Sequence, residues 1–243
     1  MIFHEVTAMK ISCVLEHNGP DSLLYAVELP GAFSRGATPE EALVKMAGEC
    51  AAWCRWADLA IPDFQIGITQ DRESELNIRD ADSDVIFDCE RTPLTMEEYL
   101  GLKWLVIKSA EDFQQLYDSV PDKFISKRES RKTFYGPVPR TAREMYEHTK
   151  NVNEYYFWEI GVDTDNVGSI AECRIRGFEK LEQMPCFLEK GTVIGSYGEE
   201  WSLRKMLRRF LWHDRIHAKA MYRMACRTFG PDAVPDVFRF EIA

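Results

Sequence analysis

Residues 201–228, WSLRKMLRRFLWHDRIHAKAMYRMACRT, decide the fold of the C-terminal part of the chain. They read as one long helix that stops before Gly230 and Pro231. His213 and His217, four residues apart, therefore lie one above the other on one helix face. Two imidazoles so placed can reach a single metal ion, and a third ligand from a neighbouring helix would complete a three-histidine site with open coordination positions. His148 is the candidate third ligand.

The composition is that of an ordinary globular protein. With 243 residues, 45% of them hydrophobic and 12% aromatic, the chain can form one or two domains with a substantial core. The N-terminus lacks a basic leader before a long apolar run, and no stretch approaches the roughly 18 apolar residues of a membrane span. Seven cysteines without framework spacing fit a reducing compartment. We therefore expect a cytoplasmic protein.

The net charge of -10 is carried by the N-terminal part of the chain. Residues 1–94 contain seven basic and 17 acidic residues, whereas the remainder contains 23 of each. This asymmetry predicts two domains and argues against nucleic-acid binding by the first. It fits either a basic protein partner or simply solubility.

The N-terminal part alternates apolar and polar residues in a way typical of a small sheet. Residues 9–29 predict a β-hairpin, AFSRG a short third strand and FQIGIT a fourth. Thr38 stands at an N-cap position before Pro39, so a helix is predicted from residue 39 to about 58. Cys50 and Cys54 on it could bind a metal, but without a second pair nearby buried packing is the better interpretation. The acidic stretch 71–84 lacks the spacing of a calcium loop and predicts a solvated linker.

The string YAVELPGAFSRGATPEEALVKMAGECAAW, residues 25–53, resembles the HicB-like antitoxin fold. That resemblance implies a β-β-β-α-β domain over residues 1–90, usually dimeric and non-catalytic, that sequesters a small basic toxin ribonuclease. In this chain a different domain follows where a DNA-binding module would stand. We interpret the first domain as an interaction or dimerisation module.

Capping boxes mark the helices of the second part of the chain. Thr95 with Glu98 opens a helix that continues to about residue 120, and Thr141 with Glu144 opens one that continues to about residue 160. On the second helix His148 shares a side with apolar positions and is predicted to face inward. A third helix, over residues 169–188, is interrupted by glycine and proline. Together with residues 201–228 these segments predict a four-helix bundle.

The connection 122–140 contains six Lys and Arg residues. Such a run could be a nucleic-acid patch, but one loop without a basic helix stripe favours a solvated crossover. Its length is unusual, because connections beyond about 12 residues in compact domains are often functional.

The motifs TAREMYEHTKNVNEYYF and EEWSLRKMLRRFLWHDRIH, with this order of helices, resemble the DinB-like (YfiT-like) metal-binding bundles. The resemblance covers about residues 95–228 of a bundle domain that we assign to residues 91–243. It implies a divalent metal, commonly zinc or nickel, bound by three histidines that correspond to His148, His213 and His217. Characterised relatives include transferases and isomerases that use low-molecular-weight thiols, and hydrolase-like metalloenzymes. Both resemblances imply a homodimer.

The sequence thus predicts an α+β protein: a small N-terminal β-β-β-α-β domain followed by an all-α four-helix bundle. The leading hypothesis is a metal-dependent transferase or hydrolase that acts on a small-molecule or thiol substrate. The alternative is a non-catalytic interaction or antitoxin-type protein with a structural metal. HDRIH is not the metalloprotease motif, because Asp214 replaces the general-base Glu. Glu144 and Arg209 are further candidates for a base and an anion anchor, or are solvated surface charges.

Overall fold

A computed structural model describes residues 8–19, 21–74, 85–133 and 136–240. The chain divides into two compact units, one formed by residues 1–85 with 239–241 and the other by residues 86–238 with 242–243. The first contains a four-stranded sheet with one helix, and the second contains four long helices. The predicted α+β class is therefore confirmed.

The N-terminal unit has the element order β-β-β-α-β. Its elements are β1 (Met9–His17), β2 (Ser22–Ala26), β3 (Phe33–Gly36), α1 (Pro39–Trp56) and β4 (Phe64–Glu73). The strand order is β3-β2-β1-β4, in which β1 runs antiparallel to β2 and parallel to β4. The helix provides the crossover that a parallel pair requires. Three residues of the predicted acidic linker belong to β4, while residues 75–84 of it lie outside the described residues.

Helix α1 begins as its sequence predicts. The Thr38 hydroxyl accepts a hydrogen bond from the Glu41 backbone N–H, and Pro39 follows at the first position. The helix buries one apolar face that includes Cys50 and Cys54. Burial raises the pKa of the Cys54 thiol, which disfavours the thiolate that binds metals.

The second unit is built on four helices and carries two short hairpins. The helices are α2 (Met96–Ser119), α3 (Ala142–Glu159), α4 (Ile170–Glu182) and α5 (Leu203–Phe229). The hairpins pair β5 (Lys132–Thr133) with β6 (Gly136–Pro137) and β7 (Val193–Ile194) with β8 (Glu200–Trp201). Helices α5 and α4 each pack against both α2 and α3. Among the described residues no helix is long and apolar enough to cross a membrane.

The capping boxes of α2 and α3 are present as predicted, and α4 begins with a third one, formed by Ser169 and Glu172. Helix α4 ends at Glu182, six residues before the predicted end, because Pro185 cannot continue it. Gly177 does not interrupt it. A Cβ atom at this position would lie 2.0 Å from Cε2 of Phe157, so the glycine lets α4 approach α3.

Candidate metal centre

Helix α5 carries the two histidines that decide the site. It begins at Ser202, whose hydroxyl accepts the Lys205 backbone N–H, and runs for 27 residues without a break. The rings of His213 and His217 lie with their centroids 4.5 Å apart, one helical turn from each other. His213 is completely buried and His217 is half-buried.

Helix α3 brings His148 to the same place. Its ring centroid lies 5.1 Å from that of His213 and 4.6 Å from that of His217. One potential ligand atom from each residue can be chosen so that all three lie within 4.8 Å of one another. The three residues predicted from sequence thus form one cluster, which could hold a metal ion.

The prediction that His148 is turned away from water is wrong. Its ring contacts the other two imidazoles, but the residue is exposed. It lies on the rim of the bundle. Burial therefore decreases across the cluster, from the buried His213 through His217 to the exposed His148. A ligand can therefore approach the three imidazoles from the solvent side of α3.

His213 provides the test of whether the site fits a metal. Neither of its ring nitrogens has a hydrogen-bond partner within the described part of the chain, although both are fully buried. Its neighbours on the protein side are rings, with Tyr156 at 6.0 Å and Trp212 at 6.3 Å between centroids. A buried polar nitrogen without a partner is costly and calls for an explanation. A metal ion would use the lone pair that the protein leaves unsatisfied.

The electrostatic environment keeps two of the imidazoles neutral. Burial, followed by the nearby charges of His217, His148, Arg209 and Arg174, lowers the pKa of His213 well below its usual value of 6.5. Burial, then His148 and Arg128, does the same to the pKa of His217. The neutral ring is the form that binds metals.

The separation of the imidazoles is compatible with coordination. Two zinc–nitrogen bonds of about 2.1 Å at a tetrahedral angle place the nitrogens about 3.4 Å apart. The upper limit of 4.8 Å seen here can be reduced by rotations of the side chains. Over the described residues the cluster holds three histidines and no fourth ligand, the composition of sites that leave a coordination position open.

Asp214 is not in a position to act as a general base. It is completely buried, and its carboxylate accepts bonds from Nη2 and Nη1 of Arg174 at 2.8 and 3.3 Å. Burial raises the pKa of Asp214, and the Arg174 charge opposes that rise. The pair joins α4 to α5 through the bundle core, with the guanidinium carbon 3.6 Å from the Phe210 ring centroid. Asp214 therefore serves the packing of the helices that carry the site.

The other two candidate residues also have structural partners. The Glu144 carboxylate accepts the backbone N–H groups of Arg140 and Thr141 at 2.7 and 3.0 Å, and these bonds lower its pKa. It caps α3 and is not an available base. Arg209 is buried, donates from Nε to the Tyr156 hydroxyl at 3.4 Å and lies over the ring of Trp201. It is therefore not a solvated surface charge.

Arg174 is the residue that sequence reasoning missed. It lies on the buried stripe of α4, between Cys173 and Gly177. A charged residue on an otherwise apolar stripe signals a buried partner. That signal was present in the sequence, but only the contact between α4 and α5 shows that Asp214 is the partner.

No family model, no curated protein and no solved structure matches this chain. The function of the site is therefore inferred from its own chemistry.

Proposed function

We propose that the chain is a metal-dependent enzyme of thiol-transfer or hydrolytic type, with His148, His213 and His217 as the ligands of one divalent ion. The observation that carries the proposal is the buried imidazole of His213, whose two nitrogens find no hydrogen-bond partner among the described residues while two other imidazoles face it. A hydrogen-bonded core histidine would not leave both nitrogens unsatisfied.

The donor set supports zinc or nickel. Neutral imidazoles suit both ions, whereas calcium and magnesium prefer oxygen ligands. An ion with three protein ligands would act as a Lewis acid toward a small-molecule thiol or water in an open position. The resemblance to DinB-like bundles adds support for a thiol substrate.

The protein's own residues would control access and orientation. The exposed His148 marks the side from which a substrate approaches, and the buried His213 fixes the inner limit of the site. The Arg174–Asp214 pair holds α4 against α5 on the inner side of the histidines. A rigid support of this kind keeps ligands in a fixed geometry.

Metal analysis of protein purified without a histidine tag tests the site. We expect about one divalent ion per chain in the parent protein. Each of the changes His148→Ala, His213→Ala and His217→Ala should weaken zinc affinity by more than about 100-fold, since even loss of a residue behind a ligand costs about 10–100-fold. His17→Ala is the matched control, because His17 lies on β1 and pairs with Asp71 at 2.9 Å. Equal affinity in all four variants would remove the proposal.

A second candidate function is a non-catalytic, HicB-like interaction protein in which the metal is structural. The β-β-β-α-β order of the N-terminal unit favours it, and the acidity of residues 1–94 fits a basic protein partner. X-ray absorption spectroscopy of the zinc-loaded protein separates the two functions. Four protein ligands support a structural site, and an exchangeable water supports catalysis.

Homodimerisation is part of both candidate functions and follows from the two resemblances. Light scattering measures it directly. A single species with the mass of one chain, 28.1 kDa, at working concentration would contradict it.

A further inference from the structure

The connection between α2 and α3 lines a cavity of about 250 Å³ that is open to solvent, on the unit that carries the histidine cluster. Two short segments form its walls, residues 128–131 and residues 138–140. The Val138 N–H donates to the Arg131 carbonyl at 2.9 Å. Nε and Nη2 of Arg140 donate to the Arg128 carbonyl at 3.0 and 2.7 Å. The two walls are therefore held together by hydrogen bonds.

The connection is also attached to the helices that carry the histidines. The Lys127 N–H donates to the Thr228 hydroxyl near the end of α5 at 3.2 Å. The Arg143 N–H at the start of α3 donates to the Lys123 carbonyl at 2.9 Å. The cavity is thus built against the end of the bundle where α3 begins and α5 finishes.

The Arg128 side chain is the notable group in this cavity. It is half-buried, and within the described part of the chain its guanidinium has neither a carboxylate nor a hydrogen-bond acceptor. Its charged neighbours are Arg131 and Arg227, and burial together with their charges lowers the pKa of Arg128. An arginine remains protonated in proteins, so a half-buried cation faces other cations. An anion in the cavity would relieve this repulsion.

The connection that forms the cavity is hydrogen-bonded to α5 at Thr228 and to α3 at Arg143, and these two helices also carry the three histidines. The cavity therefore belongs to the same unit as the histidine cluster. Glu129 also lines the cavity and is exposed, and its negative charge should weaken the binding of an anion.

We infer that this cavity is an oxyanion-binding subsite in which Arg128 holds a carboxylate or phosphate group. This inference stands on the cavity and on Arg128 alone, and it does not depend on the proposed metal centre. The planar guanidinium can form two parallel hydrogen bonds to either kind of oxyanion.

Isothermal titration of the full chain with sulfate and with acetate, at constant ionic strength, tests the subsite. Sulfate represents a tetrahedral phosphate-like group and acetate a carboxylate, so the tighter of the two identifies the chemistry. We expect Arg128→Gln to weaken binding by about tenfold or more, because a charge-assisted bond is lost. Glu129→Gln should tighten it. Lys132→Gln is the matched control, since it removes the same charge from the same connection at an exposed position outside the cavity wall.

The outcomes distinguish this inference from the proposed function. Anion binding that persists in His213→Ala while zinc is lost supports the subsite independently of the metal. Absence of binding by both anions, or equal affinity in the parent and in Arg128→Gln, overturns the subsite and leaves the metal centre intact.

Discussion

Lowering the pH from about 7.5 to about 5.5 should destabilise the metal-free protein by up to about 3 kcal/mol through His213 and His217. The fold lowers the pKa of both imidazoles well below 6.5. In the unfolded chain both rings regain their ordinary pKa and take up protons across this range. The stabilising effect of a neutral folded histidine is therefore present above pH 6.5 and is lost as the pH falls toward the folded pKa.

The magnitude follows from proton linkage. For one group with an unfolded pKa of 6.5, the loss of stability between about pH 7.5 and about pH 5.5 is at most about 1 to 2 kcal/mol, the limit reached when the folded ring stays neutral throughout. Two such groups give up to about 3 kcal/mol. The carboxylates that cap the helices titrate from a usual pKa of 4.5, below this range, and add little to it.

Urea unfolding in the presence of a chelator, followed by tryptophan fluorescence and by circular dichroism, measures the loss. At an m-value of about 2 kcal/mol/M the urea midpoint should move by up to about 1.5 M. His213→Leu and His217→Gln should each remove about half of the pH dependence, because each removes one titrating ring. If the double variant loses as much stability as the parent protein between the two pH values, the histidines do not carry the effect and the reasoning is refuted.

Two further predictions concern the packing that supports the site. Asp214→Asn should cost about 3–5 kcal/mol by leaving the buried Arg174 charge uncompensated, and Arg174→Met in the same chain should restore most of it. Denaturant unfolding of the single and double variants measures the free energy of unfolding. If Asp214→Asn lowers it by less than about 1 kcal/mol, the buried ion pair does not stabilise the bundle as proposed. Gly177→Ala should cost about 1–3 kcal/mol, because its Cβ would lie 2.0 Å from the Phe157 ring. Gly101→Ala, in an exposed part of α2 with no atom within 4 Å of the added Cβ, should stabilise by up to about 1 kcal/mol; equal effects at the two glycines would contradict the close approach of α4 to α3.

The parts of the fold that could be predicted are those determined by short-range chemistry. Thr38 and Thr95 mark helix starts because a hydroxyl at the N-cap satisfies a backbone N–H that has no partner in the helix. The alternation of residues 9–26 specifies strands because side chains of a strand point alternately to opposite faces. The histidine pair of α5 follows from helical periodicity. None of these features depends on how distant segments pack.

The parts that could not be predicted depend on tertiary contacts. Whether His148 is buried depends on how completely the neighbouring helices cover that face of α3, which no residue of the helix specifies. The role of Asp214 required a partner 40 residues away, and α4 supplies it in Arg174. Gly177 looked like an interruption because its helix propensity is low, yet its lack of a side chain is what the contact with Phe157 requires.

The acidic and basic residues of residues 95–243 are equal in number but unevenly distributed, and this distribution affects the charge that a ligand meets. Twenty-three acidic residues match 23 basic ones, but many of the carboxylates are already engaged, at helix N-termini in Glu98 and Glu144 and in a buried ion pair in Asp214. Among the described residues the Arg128 side chain has no carboxylate partner, and only basic groups are among the charges that shift its pKa. The net charge of this unit therefore says little about the charge that a ligand meets. At the cavity of the α2–α3 connection the uncompensated charge of Arg128 is positive, which favours an anionic ligand there.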